Sequence, residues 1–373
     1  MTIHSYDLAR VFRSVSATRA LIFCLALCLV LYAFGLSFSA TAHEHHPALV
    51  MFDVPGSIFT VPASINTEGV ITGFYGTRTA SYPAYHGFLR ARDGTITSFD
   101  VSGAANTYPG SINAEGTIVG SYNNANSVSH GFIRDKHGTI TSFDVPDAAS
   151  TSASSINAEG VITGLYSNAN GGWHGFVRDK DGVITTFDPT DTNSSNETEP
   201  RCINDHGEIT GFYWNPNWVT NGSVDAHGFI RDRDGTITIF DPTPYPAALW
   251  FTYPLSINAE GTIVGSYTAA WVGHGFIRDK HGAIAVFDVP GAAASGLCCI
   301  NDDGLIGGEY RTPNNVWYGF VRDKDGVITT FDVPGAANIS PSSMNSDGVM
   351  VGIYTDQSGS LHGFLWTARA REQ

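Results

Sequence analysis

The residues of this chain that most invite chemistry are six histidines at one recurring position, His86, His130, His174, His227, His274 and His362, because imidazole nitrogens ligate metals and move protons. Their spacing argues for another role. Each opens a His-Gly-Phe triplet and stands one to a repeat, with Tyr318 in the remaining copy, so they are distributed through the molecule and not gathered in one site. Each is expected to make a local hydrogen bond, to the Asp of a Phe-Asp or the Asn of a Ser-Ile-Asn. Asp179-x-Asp181-Gly182, Asp232-x-Asp234-Gly235 and Asp323-x-Asp325-Gly326 resemble the opening of a calcium loop but supply only two carboxylates, and His137 and His281 replace the second Asp in sister copies. They read as hairpin turns. His43-Glu44-His45-His46 is no zinc-protease motif, because Pro47 stands where the second His belongs. With a free amine at His43 this segment offers copper or nickel a square-planar nitrogen set, but a solvated polar tail is the expectation. The sequence implies no metal and no cofactor.

Acid–base or nucleophilic catalysis needs convergent titratable groups. Glu309, Asp191, Glu197, Glu199 and His206 depart from the repeat and are the irregular candidates, yet no nucleophile, base and orienter stand at a fixed spacing, so no catalytic residue is assigned. The aromatic residues carry a better clue. Six of the seven tryptophans, Trp366 excepted, fall in connections of variable length. Trp214, Trp218, Trp250 and Tyr253 occupy the longest of these, and Trp173 and Trp317 stand beside the recurring histidine or its Tyr substitute. These six are the expected ligand-binding residues, since flat aromatic faces stack on sugar rings and pack on apolar groups. The bland alternative is that they anchor loops.

The elements that position these residues come from a repeat. Ser-Ile-Asn or a variant begins at Ser64, Ser111, Ser155, Cys202, Ser256, Cys299 and Ser343, at spacings of 47, 44, 47, 54, 43 and 44 residues. Within a copy the apolar period is two: strand a ends in Ser-Ile-Asn, strand b is Gly-x-Ile-x-Gly-x-Tyr, strand c is His-Gly-Phe-Ile-Arg-Asp and strand d is Gly-x-Ile-Thr-x-Phe-Asp. The a-to-b and c-to-d turns carry Asn or Asp first and Gly where a left-handed residue is needed. Four antiparallel strands repeated seven times predict an all-β fold, a seven-bladed β-propeller. An orphan strand d at Ala48–Val54 precedes the first copy, and the last copy stops after strand c at Trp366, so the N-terminal strand is expected to complete the last blade and close the ring. Strand alternation places near-identical a-to-b and c-to-d turns on one face and the variable connections on the other, where a scaffold presents recognition loops.

Composition sets the address. Of 373 residues 41 are Gly and only 20 are Lys or Arg, and the net charge is −15, which removes the cationic surface a nucleic acid requires. Arg10, Arg13 and Arg19 precede an apolar run from Ala20 to Phe34 and small residues lead to Ala40-Thr41-Ala42, the order of a secretory signal peptide. An uncleaved anchor is the alternative, because the uncharged stretch is long enough to span a bilayer. The expected organisation is signal peptide 1–42, polar tail 43–47, propeller 48–366 and C-terminal tail 367–373, secreted or periplasmic, with no membrane span after cleavage. Cleavage leaves 17 basic and 34 acidic residues and only Cys202, Cys298 and Cys299, too few for a disulfide framework.

The HGF(I/V)RD, DG(V/T)IT and FDVPGA segments, with SIN and GxIxGxY between them, resemble the bacterial extracellular repeat family named after a His-Ala-Phe triplet, over roughly residues 49 to 366. The chain departs by carrying Gly in place of Ala, at Gly87, Gly131, Gly175, Gly228, Gly275, Gly319 and Gly363. The resemblance implies an exported repeat protein and brings no catalytic residues with it. The functional expectation is a non-catalytic binding propeller, a monomer whose ligand is a glycan, another neutral polymer or a cell-envelope component. A propeller lyase or hydrolase is the alternative, because Gly-x-Ile-Thr-x-Phe resembles strands of propeller lyases. A purely structural surface repeat is the third reading.

Overall fold

The computed structural model describes residues 48–79, 83–169, 171–190, 197–220, 223–242 and 251–367. The expected signal peptide, the polar tail, all but the first residue of the C-terminal tail and Trp250 lie outside the described residues.

Period-two patterning becomes antiparallel meanders. In the second copy the strands are Asn106–Ile112, Ile118–Asn123, Ser129–Arg134 and Ile140–Phe143, each hydrogen-bonded to the next. Strand a buries alternate residues, then shifts register by one between Pro109 and Ser111. The same bulge recurs in the other copies, for example between Leu297 and Cys299. A bulge twists a strand and re-aims the side chains after it; here it turns the Ser of Ser-Ile-Asn toward the following copy, where Ser64 Oγ accepts the Ile112 N–H and Ser155 Oγ the Ile203 N–H. At the a-to-b turn Gly116 sits at φ +83°, and the Asn113 carboxamide accepts the Thr117 N–H, which fixes the hairpin.

Twenty-eight strands are assigned among the described residues. Four sheets have four strands each. Three further four-stranded meanders join through two single parallel bridges, Trp173 with Glu197 and Ala226 with Phe251, into a twelve-stranded sheet. The N-terminal strand Ala48–Phe52 pairs antiparallel with Leu361–Thr367, from Ala48 opposite Thr367 to Phe52 opposite Gly363.

The core lies between successive sheets. The Phe of each His-Gly-Phe is wholly buried, and the Phe of strand d in the preceding copy meets it at 5.5–6.3 Å: Phe99 on Phe132, Phe143 on Phe176, Phe287 on Phe320. Phe52 of the N-terminal strand meets Phe88 of the first copy in the same way. The Arg ending strand c lies over that strand d ring, as Arg134 over Phe99 at 4.9 Å, a contact worth about 0.5–1 kcal/mol at such part-exposed sites. In the last copy Trp366 replaces the Arg and stacks on Phe331 at 4.6 Å.

Candidate functional site

The recurring histidines are structural. In each copy that has one, Nδ1 meets the Asp of a Phe-Asp at 2.7–3.0 Å: His86 with Asp100, His130 with Asp144, His174 with Asp188, His227 with Asp241, His274 with Asp288 and His362 with Asp53. Each ring also lies on the Tyr of its strand b, and Tyr318 lies on Tyr310 in the copy without His. The Asp-x-Asp-Gly segments are hairpin turns in which an Asp accepts backbone N–H groups, Asp179 from Asp181 and Val183, Asp323 from Asp325 and Val327, and Asp234 from Thr236. Among the described residues no three His, Cys, Asp or Glu side chains are grouped to hold a metal.

At the a-to-b turns a cavity of about 250 Å3 is lined by the Ile-Asn pair of six copies and by Met344-Asn345 of the seventh. The asparagines form a relay. Asn66 Nδ2 donates to the Asn113 carbonyl, Asn113 to Asn157, Asn157 to Asn204, Asn204 to Asn258, Asn258 to Asn301, Asn301 to Asn345, and Asn345 back to Asn66, at 3.0–3.2 Å. Each carboxamide oxygen accepts the N–H four residues on, so the relay leaves these amides engaged and chemically quiet.

Reactivity is found further along strands a and b. The cross-strand pairs Tyr108–Ser121, Glu199–Phe212, Tyr253–Ser266, Gly296–Glu309 and Ser340–Ile353 share one level. Phe212 packs on Tyr253 at 4.8 Å and Ser266 Oγ sits against Gly296. Beyond Gly296, Glu309 accepts a hydrogen bond from the Ser340 hydroxyl. Because Gly296 has no side chain and the neighbouring copy covers the carboxyl, Oε2 of Glu309 is shut off from solvent without a hydrogen-bond partner. Burial pushes this carboxyl up to about 7, against which the Ser340 hydrogen bond acts. A carboxyl so poised near neutrality can give or take a proton, the behaviour of a general acid or base.

The other irregular candidates do not join it. Asp191 lies outside the described residues, Glu197 is exposed, Glu199 pairs with Arg201 at 2.8 Å, and His206 occupies an a-to-b turn. The aromatic residues divide. Trp214, Tyr253, Phe212 and Phe251 form one cluster with centroids 4.8–6.3 Å apart, and Arg201 lies over Phe212. Trp173 is half-buried beside Glu197, and Trp317 lies under Arg311 in its own copy. Trp218 lies in a strand and Trp250 outside the described residues. The long loop expected after strand b of the fourth copy is instead a hairpin: Ile209–Thr220 pairs with Ser223–Arg231, joining Trp214 to Ala226 and Thr220 to Ser223. Phe251 and Tyr253 likewise belong to strand a, not to a connection, because their alternation with buried Thr252 and Pro254 follows the period of a half-buried strand. A second aromatic cluster escaped the sequence reading: Phe59, Phe74, Tyr85 and Tyr108 meet at 5.4–6.3 Å between the first two copies. Column-by-column comparison of the copies would have found it, since Phe74 and Phe212 occupy the same position.

Solved structures with this arrangement are propellers. The β-propeller domain of the trilobed protease from Pyrococcus furiosus, titled as having an open velcro topology, matches with TM-score 0.58 and 14% identity over 83% of this chain and 95% of its own. The fold is that of a β-propeller. Pyrococcus horikoshii acylaminoacyl peptidase matches with TM-score 0.57 and 12% identity over 85% of this chain, and puromycin hydrolase with 0.53 and 12% over 86%. This chain spans only 53% and 56% of those two proteins. No protein-family model matches the chain, and no curated protein is similar to it. At such identities the likeness establishes fold. It also corrects the expectation of a non-catalytic binding propeller, because the propellers this chain resembles are those of a protease, a peptidase and a hydrolase. Among the described residues no helix is long and apolar enough to cross a membrane.

Proposed function

We propose that this chain is a propeller hydrolase in which Glu309 is the general base. The observation that carries the reading is the buried Glu309 carboxyl, raised to about 7 and touching the Ser340 hydroxyl, since a base works best with a pKa near the operating pH. On deprotonation Glu309 takes a proton from the attacking water or from Ser340 Oγ and returns it to the leaving group. The apolar wall of Trp214 and Phe212 in the fourth copy and Phe251 and Tyr253 in the fifth receives the substrate's side chain. The hydrolase likenesses support this class over the alternatives.

The experiment is a panel of chromogenic aminoacyl amides and esters offered to the purified chain across pH 5 to 9. The expected result is turnover whose kcat/KM rises as Glu309 ionises near pH 7, and a loss of about 100-fold or more in Glu309→Gln. Turnover unchanged in Glu309→Gln would remove Glu309 from the role. A second reading follows from the chain spanning about half of the peptidase and the hydrolase: the propeller serves a separate hydrolytic partner. In that case the isolated chain is inactive and turnover appears only with that partner.

The scaffold we infer is a closed ring of seven blades. Support comes from the seven copies, from the N-terminal strand seated on Leu361–Thr367, and from the asparagine relay that returns from Asn345 to Asn66. Membership of the His-Ala-Phe repeat family, a signal peptide over 1–42, tails at 43–47 and 367–373 around the propeller 48–366, and a secreted or periplasmic address complete the proposal. N-terminal sequencing of the exported protein, with His43 expected first, tests the address.

A further inference from the structure

Where the sixth and seventh copies meet, several departures from the repeat fall on one spot. Position 299 carries Cys where five copies carry Ser, and the bulge residue before it, Ala, Gly, Ser, Arg or Leu elsewhere, is Cys298. The residue paired with Cys299 is Gly307, whereas the other copies have Thr72, Val119, Thr163, Thr210, Val264 and Val351 there. In the seventh copy the facing Ile–Ile pair of the six others becomes Met344 opposite Met350. The chain has four methionines in all, and two of them are here.

These changes fit together sterically. A side chain at 307 would collide with Met350 Cε, and it would lie 2.7 Å from Cys299 Sγ and 3.0 Å from Met344 Cε. Glycine therefore makes room for three sulfur-bearing side chains that point at one place. Cys298 Sγ lies 3.1 Å from Cys299 Sγ, and both thiols are free. Cys299, Met344 and Met350 are buried, while Cys298 keeps partial exposure and offers a way in.

We propose that Cys298 and Cys299, with the thioethers of Met344 and Met350, form a binding site for a soft monovalent metal ion of the Cu(I) and Ag(I) class. Two adjacent thiols can share one ion once their sulfur atoms spread apart, and thiolate with thioether donors selects soft ions over zinc or calcium. A thiol that binds the ion gives up its proton. Binding then releases protons, so affinity rises with pH. The Glu309 carboxyl is near enough to act on the Cys298 thiol through its charge, but the site does not depend on Glu309's proposed role.

The test is titration of the reduced, purified chain with Ag(I) in chloride-free buffer, followed by native mass spectrometry and calorimetry. One tightly held Ag(I) is expected in the native chain and in Cys202→Ser, whose thiol stands alone. Affinity is expected to fall about 100-fold in Cys298→Ser and Cys299→Ser and about 10-fold in Met350→Leu, with circular dichroism unchanged. Tight binding that survives Cys298→Ser or is lost in Cys202→Ser overturns the site, and unchanged affinity in Met350→Leu removes the thioethers from it. If the protein isolated without reductant is two hydrogens lighter and takes Ag(I) only after reduction, the pair is a disulfide and the metal proposal fails.

Discussion

At the scale of single residues, Glu309 makes a claim about stability as well as catalysis. Its folded pKa of about 7 lies above the ordinary glutamate value, so between those values the folded chain binds more protons than the unfolded one, and stability falls as pH rises through that window. Glu309→Gln should abolish this fall. The variant is expected to match the native chain near pH 4.5 and to exceed it above pH 7.5 by up to about 3 kcal/mol, read from urea unfolding at the two pH values. Equal pH dependence in both proteins would show that the carboxyl is solvated. Glu309 was legible in the sequence as an irregular acid in strand b. Its burial was not, because that depends on Gly296 across the strand pair and on Ser340 of the next copy, contacts that only the register supplies.

At the scale of the element, the Gly of each His-Gly-Phe has a reason that the repeat alone does not reveal. Gly131 faces Phe143 across the strand pair, and a Cβ there would lie 2.7 Å from the Phe143 ring; at Gly175 the ring is that of Phe187, at 2.6 Å. The far end of each ring meets the glycine while the ring reaches the next copy, Phe143 meeting Phe176 and Phe187 meeting Phe229. Gly131→Ala must push Phe143 off this seat, at a cost of about 1–3 kcal/mol, which thermal unfolding would register. No change in melting temperature would mean the ring moves freely. This packing accounts for glycine at the middle of each His-Gly-Phe. Strand positions and turns were legible because period-two burial and Asn/Asp-to-Gly turns are local. The hairpin Ile209–Arg231 was expected to be a loop because Trp214-Asn215-Pro216-Asn217-Trp218 looks like a turn, whereas the ladder runs into it through Trp214–Ala226 and Asn215–Asp225 and resumes beyond it at Thr220–Ser223.

At the scale of the whole molecule, the joining of the chain's ends depends on pH. His362 on the last strand contacts Asp53, just after the N-terminal strand, at 2.8 Å and Asp356 at 3.5 Å. Partial burial works against charging the imidazole, but the two carboxylates outweigh it and raise its pKa. A raised folded pKa gives stability that is complete below the ordinary histidine value of about 6.5 and is lost as pH rises through the folded one. Hydrogen exchange at Ala48–Phe52, corrected for intrinsic rate, should therefore be better protected at pH 6 than at pH 8, and Asp53→Asn should reduce that difference. Protection independent of pH in the native chain would refute the coupling. The complementary ends were visible in the sequence as an orphan strand d and a truncated last copy. The asparagine relay was not, because nothing in Ser-Ile-Asn announces that its amide reaches a neighbour 43 to 54 residues away. That relay bears on how such a chain can evolve. Every copy contributes its donor and its acceptor on one asparagine, so gain or loss of a copy leaves the hydrogen bonding balanced, whereas replacing a single asparagine orphans the carbonyl that received its amide.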